Sequence, residues 1–121
     1  MTLNVNYTAI QDKETGDIYP ICNVYIYNED MVHSFTIECS AIDDMIDKLS
    51  PDTRGKIIRA FARDIIADYL TVNPESIPIN AHDFIVKTRP LITGLFAEDF
   101  EVLERIKSKW REYDQKRGET K

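Results

Sequence analysis

A chain of 121 residues has length for one domain with a real core and no room for two. Its hydrophobic fraction of 43% and charged fraction of 30% exclude wholesale disorder, and a net charge of −6 works against direct binding of nucleic acid. The acidity is uneven: residues 1–50 carry nine acidic and two basic side chains, whereas residues 101–121 carry five and seven.

The start, MTLNVNYTAI, has neither a charged n-region nor an apolar h-region, so no signal peptide is expected. No apolar run approaches the ~20 residues that cross a bilayer. Two cysteines, Cys22 and Cys39, match neither a metal-site spacing nor a disulfide framework. A cytoplasmic, reducing location is the expectation.

Leu3–Ile10 alternates as a strand, with Leu3, Val5, Tyr7 and Ala9 on one side. Lys13–Gly16 reads as a hairpin loop, Ile18–Tyr27 as a second, tyrosine-rich strand, and Val32–Cys39 as a third after a turn at Asn28–Met31. A slip of one residue would invert every side chain, so the register can be tested. Closing the first hairpin with Asp12 opposite Asp17 pairs Val5 with Val24 and Tyr7 with Cys22. Closing the second with Tyr27 opposite Val32 pairs Val24 with Phe35 and Cys22 with Ile37. Both choices place the same apolar set on one face, which predicts a three-stranded antiparallel meander. The other face then carries Asn4, Asn6, Thr8, Ile10, Tyr19, Ile21, Asn23, Tyr25, Tyr27, Ser34, Thr36 and Glu38.

Ser40 is the expected cap of a short helix over 41–49, with Ile42, Met45, Ile46 and Leu49 inward and Asp43, Asp44 and Asp47 outward. Ser50-Pro51 opens the central helix of the chain, which Pro74 closes. Ile58, Phe61, Ala62, Ile65, Ile66 and Tyr69 form its apolar stripe. Ala60 and Ala67 on its back admit a close helix neighbour. Residues 83–87 (DFIVK) read as a short fourth strand or a buried loop. A last helix over 97–113 carries Phe96, Phe100, Leu103, Ile106, Trp110 and Tyr113 on one side, with acidic residues early and basic residues late. The charged tail, 114–121, is expected to fray. The predicted architecture is a single α+β domain over 1–121, a meander packed on one face by about three helices.

No constellation carries chemistry plainly. Cys22 and Cys39 fall on the core side, where a thiol behaves as a small hydrophobe. His82-Asp83, taken with Asp43, Asp44, Asp47 or His33, lacks any ligand spacing for a metal. The four glycines form no phosphate-cradling run. Neither a cofactor nor a metal is expected. Two basic flanks, Lys56/Arg59/Arg63 and Lys107–Arg117, offer a foothold for nucleic acid, which the acidic whole disfavours.

The tyrosine-rich sheet face is the best candidate surface, since interface centres enrich aromatics and shed charge. The expected function is therefore that of a non-catalytic acidic interaction protein: an inhibitor, adaptor or assembly factor. Tyr19, Asn23, Tyr25 and Tyr27 would meet the partner, or a second copy in a homodimer. Asp43, Asp44 and Asp47 would draw in a basic or nucleic-acid-binding protein. Small, motif-free, acidic chains of this kind are common among accessory proteins of phages and other mobile elements, an analogy of composition alone. The alternatives are a small enzyme with a site assembled from distant residues, and a weak nucleic-acid-binding module using the basic flanks. Membrane association is not expected.

Overall fold

A computed structural model describes residues Met1–Glu119. Three strands, β1 (Thr2–Gln11), β2 (Ile18–Asn28) and β3 (Met31–Glu38), pair antiparallel in the order β1-β2-β3. The register is the one the pattern predicts: Val5 opposes Val24, Tyr7 opposes Cys22, Val24 opposes Phe35 and Cys22 opposes Ile37. Local chemistry holds each hairpin. Asp12 accepts from the Glu14 amide at 2.8 Å, and Gly16 closes the first loop at φ 79°, a conformation glycine adopts without strain. The second turn has two residues, and Glu29 takes the left-handed φ of 57° there.

Pro20 lies in the central strand, where a missing amide would normally break the ladder. It sits at the end of the β2–β3 pairing, where only its carbonyl is needed, accepting from the Cys39 amide at 2.9 Å.

α1 (Asp43–Asp47) is shorter than expected, and Ser40 does not cap it. The Glu38 carboxylate takes both the amide and the hydroxyl of Ser40, so that side chain is turned back toward the strand. Arg54 supplies the missing cap at the other end. Its guanidinium donates to the carbonyls of Ile46, Asp47 and Leu49 at 3.1–3.3 Å.

α2 (Pro51–Val72) begins as read, with the Ser50 hydroxyl accepting from the Thr53 amide. It lies against the inner face of the sheet and buries Ile58, Phe61, Ala62, Ile65 and Ile66. Ala60 and Ala67 are buried as well, because α3 and α4 both pack on this helix. Tyr69 departs from the expected stripe: it is exposed, and its ring meets Phe35 edge-on at 5.7 Å.

The segment expected as a fourth strand or buried loop is a helix, α3 (Ala81–Thr88). Asn80 caps it: its side-chain oxygen accepts from the Asp83 amide at 2.8 Å while its amide nitrogen donates to the Asp83 carboxylate. Phe84 and Thr88, four residues apart, are the buried positions. Residues 74–92 therefore lie on the helical side, with a 3-10 turn at Arg89–Leu91 after α3.

α4 (Ala97–Glu119) continues past the expected end and is helical through the charged segment 114–119, while residues 120–121 lie outside the described ones. Its first turn differs from the expected apolar side. Phe96 and Phe100 are 69% and 49% exposed, and burial of the apolar side begins at Val102 and Leu103.

Candidate partner-binding surface

The helices occupy one side of the sheet and leave the other open. Val24, Cys22 and Ile26 on β2 face inward and are fully buried. Tyr25 and Tyr27, which alternate with them along the strand, face outward and are 38% and 42% exposed. Tyr25 lies between Asn4 on β1 and Ser34 on β3. Two positions along the ladder, Asn23 accepts from the Thr36 hydroxyl at 3.2 Å, so this part of the face is fixed by a cross-strand bond. The Tyr19 hydroxyl reaches Asp17 at 3.4 Å, a weak contact. Neither α3 nor the turn after it covers this face.

The open area stops short of one corner. Ile21, expected on the outer face, is only 2% exposed. It opposes Glu38, and the end of α4 closes on that pair. Trp110 donates from Nε1 to the Glu38 carbonyl at 2.8 Å, and the Tyr113 hydroxyl lies beside the Glu38 carboxylate. Burial works to raise the Glu38 pKa, but the hydroxyls of Ser40 and Tyr113 and the Ser40 amide outweigh it and hold the carboxyl below its usual value.

The three aspartates do not join the tyrosines. Asp43 is half-buried and accepts from the inward-facing Tyr7 hydroxyl at 2.6 Å, which places α1 on the helical side of the sheet. Burial first, and then the Asp43 carboxylate, push the Tyr7 phenol well above its ordinary value. Asp43 is thus a structural acceptor, not the outward charge that helical spacing suggested. Asp44 and Asp47 are exposed. The candidate residues form two surfaces, a tyrosine face and a small acidic helix, on opposite sides of the sheet.

Charge is paired where α2 meets α4 and along the end of α4. Lys107 and Arg111 of α4 meet Asp64 and Asp68 of α2, each at 2.8 Å, and Lys116 and Arg117 pair along their own helix. Arg63 lies 2.7 Å from Asp64 as an ion pair without hydrogen-bond geometry. Lys56 and Arg59 are exposed beside a small pocket with Gly55 and Ile92. Both cysteines are fully buried. The Cys39 sulfur lies 3.6 Å from that of Cys22 and 3.3 Å from the Ile37 carbonyl, and the Cys22 thiol together with burial drives the Cys39 pKa upward. Among the described residues no three His, Cys, Asp or Glu side chains gather as a metal site, and no helix is long and apolar enough to cross a membrane.

No protein family, curated protein or solved structure matches this chain. Its functional reading rests on its own surfaces.

Proposed function

We propose that this chain is a non-catalytic interaction module that binds a partner protein through the open face of its sheet. One observation carries the reading: Tyr25 and Tyr27 stand half-exposed among uncharged polar side chains, while α2 packs on the other side of the sheet and the end of α4 reaches only the Ile21–Glu38 corner. A tyrosine offers apolar area and a hydroxyl at small conformational cost, which is why such residues anchor interfaces. The acidic first half suits a basic partner, and an inhibitor that blocks a basic groove of a nucleic-acid enzyme is the sharper form of the same proposal. A role among the accessory proteins of phages or other mobile elements fits that form.

Tyr25→Ala tests it. The side chain lies outside the chain's own core, so the variant should melt close to wild type. Its association with a partner recovered by pull-down, or with a second copy, should weaken by about 2 kcal/mol or more. Normal association would remove the tyrosine face as the binding surface, and a large loss of stability would show that the face is part of the fold's own core.

A further inference from the structure

β3 is an edge strand whose free side is open. Cys39, just beyond it, turns its amide inward to Pro20 on β2, so the odd-numbered positions of this strand pair with β2. Backbone groups alternate sides along a strand, and the even-numbered residues Val32, Ser34, Thr36 and Glu38 therefore point N–H and C=O away from the sheet. Glu38 already uses its outward carbonyl, which accepts from Trp110. Among the described residues no partner meets the outward backbone groups of Val32, Ser34 and Thr36.

A groove of about 1010 Å³ runs beside this edge, bounded by β3, the second half of α2 and the end of α4. Phe35, Ile65, Tyr69 and Val72 make it largely apolar, and Tyr69, Val72 and Val32 are exposed. The His33 Nε2, shielded and without a hydrogen-bond partner, belongs to the same groove. Edge strands are usually blunted by lysine, proline or a bulge. Met31–Glu38 has no lysine or proline, and its register runs unbroken.

We propose that this edge takes up an extended segment of a partner protein as a fourth strand, one with alternating apolar side chains and basic residues at its ends. Backbone pairing with Val32, Ser34 and Thr36 would select the extended conformation, and alternate side chains would enter the groove. Charge selects the occupant. Glu29 and Asp30 stand exposed where β3 begins; where it ends, Glu38, its carboxylate held by Ser40 and Tyr113, and Asp114, paired with Arg117 at 2.6 Å, leave a smaller negative charge. A second copy pairing antiparallel would lay the acidic start of one β3 beside the acidic end of the other, in a chain of net charge −6. Lysines or arginines flanking a foreign strand meet opposite charge at both ends. The proposal does not rest on the tyrosine face, which is made of outward side chains of β2, whereas this site is the backbone of β3.

The probe is a fluorescent peptide of alternating valine and threonine with a lysine at each end, followed by anisotropy. Ser34→Pro removes one outward N–H and leaves the β2 ladder untouched, since proline is accepted on the free side of an edge strand. The peptide should bind wild type, lose about tenfold or more in affinity for Ser34→Pro at unchanged melting temperature, and keep its affinity for Tyr25→Ala. N-methylation of the peptide at every second residue should abolish binding to wild type, and this arm reads the same contact even where Ser34→Pro fails to fold. A peptide ended by glutamates should bind more weakly. Absence of binding, or binding indifferent to both Ser34→Pro and N-methylation, overturns the proposal. So does a dimer of the chain alone, seen by sedimentation, that Ser34→Pro dissolves, because the occupant would then be a second copy.

Discussion

Lys107 on α4 is only 8% exposed, and its ammonium lies 2.8 Å from Asp64 on α2 and 2.8 Å from Glu104 on its own helix. Burial alone would lower the lysine's pKa, but hydrogen bonds to the two carboxylates outweigh it and hold the group charged above its ordinary value. Removing one member of such a pair leaves the other poorly solvated. Lys107→Met should therefore cost about 1–3 kcal/mol, between the values for exposed and fully buried pairs. Adding Asp64→Asn should recover much of the loss, and a double-mutant cycle in urea measures the coupling.

Phe61 of α2 links the core to α4. It is fully buried under the sheet, and its ring meets Trp110 edge-on at 6.2 Å. Phe61→Ala should cost ~3–5 kcal/mol, a large share of the ~5–15 kcal/mol that a domain has in total. Equilibrium unfolding would show a marginal or unfolded variant. A melting point within a degree or two of wild type, by contrast, would contradict the burial of this ring.

Glu38 gives the acid limb of the stability curve a specific cause. Its pKa is lowered in the folded state from 4.5, so the unfolded chain binds the proton more readily. This stabilisation is present above pH 4.5 and is lost as pH falls through the lower folded value. Glu38→Gln should lose stability at neutral pH and show a shallower decline below about pH 4.5 than wild type. Chemical denaturation across pH 2–7 compares the two slopes.

Asp44 and Asp47 test the electrostatic half of the proposed function without disturbing the fold. Asp43 is left alone because it holds Tyr7. With a basic partner, Asp44→Asn/Asp47→Asn should slow association more than it speeds dissociation. Added salt should weaken wild-type binding, since exposed charges are screened over ~8 Å at physiological ionic strength. Stopped-flow rates at two salt concentrations would show it, and salt-independent association would remove the basic partner.

Much of the fold was legible because it depends on neighbours in sequence. The period of two in β1 and β2 and the Asp12 and Gly16 turn are local signals that set the register, and Ser50-Pro51 is the local signal that starts α2. α3 was missed because a helix of eight residues offers too few periods to count against the β-branched run Ile85-Val86. The available signal was its cap, Asn80 with Asp83 three residues on.

The sequence by itself determined which residues share a face of each strand and helix, because pleat and helical pitch impose that on any chain. It also separated the tyrosines of β2 from the buried valine, cysteine and isoleucine between them. Only the tertiary structure decided what each face meets. Tyr7 reaches Asp43 across 36 residues of sequence and Trp110 reaches Glu38 across 72. Those two contacts place α1 on the helical side and bring the end of α4 over Ile21, so they define where the open sheet begins and ends. The physical reason is the direction in which the loops send their helices. Residues 74–92 could have crossed to the tyrosine face, and the fully buried Phe84 and Thr88 hold them against α2 instead.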